Sequence, residues 1–417
     1  MKIAIIGSGI SGLTCASLLK DQHDIELFEA EDRLGGHTHT YEVSNDQDSW
    51  AVDTGFIVFN DRTYPNFERL LNKFGIKWQN TEMSFSVKNA SATFEYNGHN
   101  LNTLFSQRSN IVSPRFYGFI REILRFNRLA KTHRNAALTS DQTLGAFVAQ
   151  EGFSDFFAEH YLMPMVAAIW SCSLDDARQF PLSFFLDFFY NHGLLNIKDR
   201  PQWRVISGGS SSYIPALING IEDRCHINTP VHKVTRHEDS VAIESRLGTQ
   251  HYDQVIFACH SNQALRLLGD ASAMEAQVLA NMKYQSNDVI LHQDAGIMPR
   301  HKRSWASWNF KLSDARDADQ APAKVTYYMN RLQGLDEAPD FFVSLNCKEQ
   351  IDPQRIIQTF EYDHPVMDEA MIRSQAMHHL ISGVQRTHFC GAYWFNGFHE
   401  DGVNSALRVC SELGVSL

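Results

Sequence analysis

Residues 7–12 read Gly-Ser-Gly-Ile-Ser-Gly, the G-x-G-x-x-G spacing that brings a backbone against a pyrophosphate. Gly7 permits a tight turn, Gly9 lets the backbone approach phosphate oxygens, and Gly12 lets a helix pack closely on the preceding strand. That helix opens at Ile10 and Ser11, and its N-terminus offers free N–H groups and a positive dipole end to an anion. Glu29 stands 22 residues after Gly7, the distance at which a carboxylate accepts hydrogen bonds from an adenosine ribose. Its charge would repel a 2′-phosphate, which disfavours NADP. The chemistry implied is the binding of a dinucleotide.

These residues need a βαβ unit to position them. Lys2–Gly7 has the apolar run of a short buried strand, Ser11–Lys20 reads as a helix, and Asp24–Ala30 alternates as a second strand. A βαβ unit implies a parallel sheet. From about residue 65 to 205 helical periodicity takes over, in Tyr64–Phe74, Pro114–Thr132, Leu144–Gln150 and Phe153–Ile169. Strand patterns return at His226–Val234, Val241–Glu244 and Gln254–Cys259, then at Asp288–His292, Lys324–Met329, Phe341–Leu345 and His388–Gly391. The chain closes on a helix from Gly402 to Leu413. The fold class is α/β: a Rossmann-like nucleotide domain assembled from segments 1–64, 205–285 and 385–417, with an inserted α+β substrate domain from 65–204 and 286–384.

The composition agrees with such a chain. At 417 residues two domains are the default. The net charge of −11 argues against nucleic acid as the general partner. No run of about 20 apolar residues exists to span a membrane, and Ile3–Ile6 is too short for the apolar core of a secretory signal. The expected compartment is the cytoplasm. Seven widely spaced cysteines without a Cys-x-x-Cys pair suit reduced, buried thiols rather than disulfides or zinc.

After Glu29 the chain continues Ala30-Glu31-Asp32-Arg33-Leu34-Gly35-Gly36. Here it resembles the flavin-dependent amine oxidase and phytoene desaturase superfamily, whose members carry an Arg-x-Gly-Gly segment at this point. The resemblance implies FAD, with Arg33, Gly35 and Gly36 along its pyrophosphate and ribityl chain, and contacts that extend to Ala30 and His37. A guanidinium suits phosphate oxygens, and paired glycines allow close approach. Val52-Asp53-Thr54-Gly55 resembles the strand and turn beneath the flavin, which brings in Thr54 and Gly55. Ile206-Ser207-Gly208-Gly209 resembles the segment that re-enters the cofactor domain, and Thr229-Pro230-Val231 the one that sets Val231 against adenine. Phe389 to Val403 resembles the closing motif, with Gly391 near the ribityl chain and the helix at Gly402 and Val403 pointing its N-terminus at the flavin.

The chain also departs from that pattern. Amine oxidases commonly keep an acidic residue after the glycine of the closing motif, where Ala392, Tyr393 and Trp394 stand here. They commonly place a lysine near flavin N5, yet Asn287–Leu291 has none and Lys283 lies only upstream. His37 and His39 form a His-x-His pair readable as metal ligands, a covalent flavin anchor or polar residues beside the cofactor. No companion ligands with metal spacing accompany them, and no metal site is expected.

The chain is similar to a subgroup of this superfamily that shares the Gly-Gly-His segment and the run Asp53–Asn60, and that is linked to modified fatty-acid metabolism. Phe184–Tyr190 is rich in phenylalanine and reads either as core or as an apolar tunnel. Tyr393, Trp394 and Phe398 are candidates for walls that hold a substrate against the flavin. The helix from Pro114 sets Phe116, Phe119, Ile120 and Ile123 on one face and carries Arg121, Arg125, Arg128, Lys131 and Arg134. It reads either as a solvated basic face or as a site for an anionic membrane surface, in which case the protein is peripheral on the inner membrane face. The function implied is hydride transfer from a C–H bond of a fatty-acyl or similar substrate to flavin N5, giving desaturation or isomerisation. The alternatives are amine oxidation and a non-catalytic lipid-binding role on the same fold.

Overall fold

The computed structural model describes every residue except 90, 92, 138–140 and 314–317. The strand Lys2–Ile6 occupies the middle of a five-stranded parallel sheet, between Asp24–Phe28 and Gln254–Phe257, with Cys225–His226 and Thr387–Phe389 at the two edges. Its residues Ile3 to Ile6 are buried because both faces are covered: Ile3 and Ile5 belong to the cluster of Leu13, Ala16, Val403 and Ala406 on helices, and Ala4 and Ile6 to the cluster that holds Val241, Ile243 and Tyr252 of a three-stranded sheet. The crossover helix Ile10–Leu19 is buried along its whole length. It lies against the last helix, His399–Glu412, where a Cβ on Gly402 would come within 2.6 Å of Ile10 Cγ2. Ser11 Oγ donates to the Gly402 carbonyl at 3.0 Å. Residues from both ends of the sequence thus meet beside the central strand.

A second sheet has seven strands in the order 356–365, 284–292, 342–345, 325–328, 308–311, 85–88 and 95–97. All of its pairings are antiparallel except that of 308–311 with 85–88. Helices from 114 to 191 pack beside it around Phe126, whose ring meets those of Phe147, Phe153, Phe157 and Phe185. The helix Pro114–Ala137 buries Phe116 and Phe119 and half-buries Ile120 and Ile123, as its pattern requires.

Four expectations from sequence are corrected. The stretch 153–169 is not one helix but Asp155–Phe157, a π-turn Ala158–Leu162, and Met163–Trp170. Ser154 caps the first piece through the Phe157 N–H, which leaves Phe153 outside. Pro164 has no N–H for the His160 carbonyl, and the wider turn absorbs its ring. Tyr96 OH supplies the missing donor at 2.9 Å. The strand expected over 226–234 divides into Cys225–His226 and Val231–Arg236, because Asn228 adopts a positive φ of 48° ahead of Pro230. The closing helix starts at His399, not Gly402, with Asp401 Oδ2 accepting the Phe398 N–H at 2.9 Å. The strand expected from Asp288 begins at Tyr284 and pairs along its length with Ile356–Pro365. All seven cysteines are free thiols. Among the described residues no helix is long and apolar enough to cross a membrane.

Candidate active site

The strand ends of the parallel sheet open into a cavity of about 1580 Å³ that reaches between the two sheets. Its size exceeds the roughly 300–1,000 Å³ of a pocket for one drug-sized ligand, so a dinucleotide and a substrate can share it.

At one end the glycine turn leaves room of a definite shape. Gly7 has φ +103°, and a Cβ there would sit 2.9 Å from the Ala258 carbonyl. A Cβ on Gly12 would lie 2.0 Å from the Gly7 oxygen, so the helix can approach only without a side chain. A Cβ on Gly9, by contrast, meets no protein atom within 4 Å. The space in front of Gly9 belongs to the cavity, and no side chain caps the helix N–H groups that face it. Gly36 packs on Gly9, its Cβ position 3.2 Å from the Gly9 Cα. Arg33 lines the cavity, donates only to the Thr38 carbonyl at 3.3 Å, and has no ion-pair partner among the described residues. Glu29 Oε2 accepts the Ser8 N–H at 3.0 Å, and Oε1 accepts the Glu31 N–H at 3.0 Å. Thr229 N–H donates to the Glu29 carbonyl at 2.7 Å, which brings Val231 to the cavity wall. An uncapped helix terminus, open space at Gly9 and an unpaired guanidinium together fit a pyrophosphate.

Most of the residues singled out from sequence are brought together. Gly7, Gly9, Ile10, Ser11, Glu29, Ala30, Arg33, Gly35, Gly36, His37, Gly55, Val231, Gly391, Tyr393 and Phe398 all line the cavity. Gly12, Thr54, Gly402 and Val403 do not; they pack behind its wall. Gly402 is the fourth residue of its helix, and its lack of a side chain serves helix–helix contact. Thr54 is buried and bonds His39 Nδ1 at 3.1 Å and Tyr362 OH at 3.0 Å. Trp394 is the correction among the proposed walls: the 3₁₀ turn Ala392–Trp394 aims Tyr393 into the cavity and Trp394 away, onto His378. With three residues to a turn, the side chains of Tyr393 and Trp394 leave the axis in different directions.

The far end of the cavity is walled by Tyr161, Met165, Trp170, Phe188, Trp308 and Phe360. The helix Leu182–Asn191 of the phenylalanine-rich segment sends Phe185 and Phe189 into the core and Phe188 into the cavity. No lysine lines the cavity among the described residues. Lys283 is exposed and pairs with Asp368 at 3.6 Å.

Between the two ends lies a group of histidines that sequence reasoning met only in part. The His37 ring lies 5.1 Å from Tyr362, 5.6 Å from His364 and 5.9 Å from His260, centroid to centroid. His260 in turn stacks on Tyr284 at 4.4 Å. Burial, reinforced by neighbouring histidines, pushes His260 and His364 down to about 3; burial likewise lowers His37. All three are therefore neutral at pH 7. His399, also held neutral by burial, stacks on Phe56 at 3.4 Å and meets Thr38 Oγ1 at 2.9 Å. His37 Nε2 and His260 Nδ1 are buried on the cavity wall with no hydrogen-bond partner among the described residues, and Tyr393 OH is buried beside them. Such atoms take their hydrogen bonds from whatever the cavity holds. Among the described residues no group of three His, Cys, Asp or Glu side chains is arranged to hold a metal ion.

On the outer surface Arg121 and Arg128 are exposed, whereas Arg125 lies over Phe153 at 4.4 Å and faces the Glu151 carboxylate at 3.8 Å.

The fold and this cradle define a dinucleotide-binding α/β protein. Residues 10–309 match the family described as flavin containing amine oxidoreductase, and the chain belongs to that family. An L-amino-acid oxidase from Siganus canaliculatus is 21% identical over 346 residues, which cover 78% of this chain and 61% of that protein. The match thus spans about three fifths of that relative's length. Cyclohexylamine oxidase from Brevibacterium oxydans superposes with a TM-score of 0.69 at 16% identity, over 99% of both chains. A CLA-producing fatty acid isomerase from P. acnes gives 0.70 at 15% identity, over 98% of this chain and 97% of that one. At these identities the superpositions establish the fold.

Proposed function

We propose that this protein binds FAD at the glycine cradle and acts on a C–H bond of an apolar, acyl-type substrate, giving desaturation or isomerisation. The observation that carries the reading is the far half of the cavity, which combines aromatic and methionine walls with neutral histidines and no lysine. An alkyl chain gains about 25 cal/mol for each Å² of apolar surface buried there.

FAD, when bound, supplies the hydride acceptor. The remaining roles belong to the chain. Gly9, Gly36 and the helix from Ile10 hold the pyrophosphate, Arg33 neutralises it, and Glu29 takes the ribose. Val231 borders the adenine, and Gly55 and Gly391 let the backbone approach the ring system. Tyr393 and Phe398 close off water on the substrate side. His37 Nε2 and His260 Nδ1, kept neutral by burial, donate or accept a hydrogen bond without placing charge in an apolar site.

The deciding measurement is anaerobic bleaching of the flavin. Unsaturated or methyl-branched acyl substrates should bleach it, and simple amines should not. Rapid bleaching by amines alone would install amine oxidation in its place; isomerisation returns its hydride and leaves the flavin oxidised, so bleaching by neither class leaves the non-catalytic reading only when the recovered acyl substrate also shows no double-bond shift.

A further inference from the structure

Several exposed apolar side chains fall within residues 101–197. Leu101, Ile111, Val112, Tyr117, Leu124 and Ile197 stand out into solvent, Val112 at 82% and Leu101 at 76% exposure. Two of them border the cavity: Gly98 and His99, just before Leu101, line it, and so does Ile197 itself. Ile197 is also 66% exposed, which puts it at the rim.

The helix Pro114–Ala137 gives this surface its charge. Its buried face carries Phe116, Phe119, Phe126 and Ala130. Opposite them Tyr117, Arg121, Leu124, Arg128 and Lys131, spaced i, i+4, i+7, i+11 and i+14, form one exposed stripe. Arg121 and Arg128 have no ion-pair partner among the described residues. Lys131 Nζ donates to Asn196 Oδ1 at 2.6 Å, which ties the stripe to the loop that borders the cavity. The one acid between them, Glu122, is engaged by the N–H and hydroxyl of Ser154. Unpaired cations interleaved with exposed Tyr and Leu, on a chain of net charge −11, form a local reversal of charge. Apolar side chains that enter an interface beside cations that meet headgroups are the chemistry of a surface-bound amphipathic helix.

We propose that the face running from Leu101 through Val112 and along Tyr117–Lys131 docks on an anionic lipid bilayer, with the cavity rim at Ile197 turned toward it. The docking is independent of which bond the cavity oxidises. Each basic residue near an anionic surface strengthens binding roughly fivefold, and salt screens it.

The test is flotation of the flavin-loaded protein with vesicles of phosphatidylglycerol and phosphatidylcholine. The wild type should bind them at low salt, release at high salt, and ignore vesicles of phosphatidylcholine alone. The R121E/R128E variant should bind at least about 25-fold more weakly, and V112D or L124D should weaken binding too. R373E, a reversal on a remote exposed helix, should not. Flavin content and thermal melting of each variant verify its fold. Wild type that fails to bind, or R121E/R128E and V112D that bind as wild type does, would overturn the proposal. Bleaching by detergent-dispersed substrate should be equal in R121E/R128E and wild type. Its absence in both, with vesicle binding intact, counts against the substrate reading and not against docking.

Discussion

Oε2 of Glu29 accepts both the N–H and the hydroxyl of Ser8, at 3.0 and 2.5 Å, so one carboxylate braces the glycine turn as well as facing the cavity. Glu29→Ala therefore removes two services at once. Loss of a charge-assisted ribose contact costs about 1.5–3 kcal/mol, so FAD should bind roughly ten- to hundred-fold more weakly, by fluorescence titration. The variant should also lose stability in the FAD-free state. Glu29→Gln, which keeps an acceptor for Ser8, should recover more of that stability than of the affinity.

Gly9 and Gly12 make a contrasting pair. A side chain at Gly9 enters open cavity, so Gly9→Val should leave the melting temperature of the FAD-free protein near wild type while abolishing flavin binding. A Cβ at Gly12 would collide with the Gly7 carbonyl at 2.0 Å, so Gly12→Ala should destabilise the protein itself. Equal flavin occupancy in Gly9→Val and wild type would refute the cradle.

The buried histidines predict an acid limb of stability. His260 and His364 stay neutral in the folded chain down to about pH 3, whereas in the unfolded chain they take up protons near 6.5. Their lowered values contribute stability that is fully present above pH 6.5. It falls as the pH drops toward 3, by up to about 1.4 kcal/mol per pH unit for each residue. Urea unfolding of the FAD-free protein between pH 7 and 4 should show this slope. Replacing both histidines by asparagine should flatten it, and an unchanged slope would place their protonation elsewhere.

Tyr96 and Pro164 should be energetically coupled through the carbonyl of His160. Tyr96→Phe strands that carbonyl and should cost about 1–3 kcal/mol. In Tyr96→Phe/Pro164→Ala the new backbone N–H at 164 can take the vacated place, so the two changes should be less than additive. A double-mutant cycle by chemical denaturation measures the coupling, and strict additivity would dissociate the two residues.

The nucleotide half of the site was legible because it is written locally. Turn glycines, a buried strand, a helix and an acid at fixed spacing all fall within residues 2–29, where each choice is forced by backbone geometry. The histidine half was not. His364 and Tyr362 reach the cavity only because Ile356–Pro365 pairs with Tyr284–His292 in the register Tyr284 to Pro365, a long-range choice that no nearby residue encodes. His260 arrives at the end of a central parallel strand, next to His37, which is far away in sequence. The broken helix at 158–162 did have a local sign in Pro164, which apolar periodicity across 153–169 obscured.

The helix that clasps Ile10 and Ser11 makes its contact with them across a separation of 391 residues. The glycine turn keeps its covering helix only through that long-range contact. Contacts between residues so distant in sequence close slowly. A change in the helix His399–Glu412 that loosens its hold on Ile10 and Ser11 is therefore felt at the glycine turn, although it alters no residue of the turn itself.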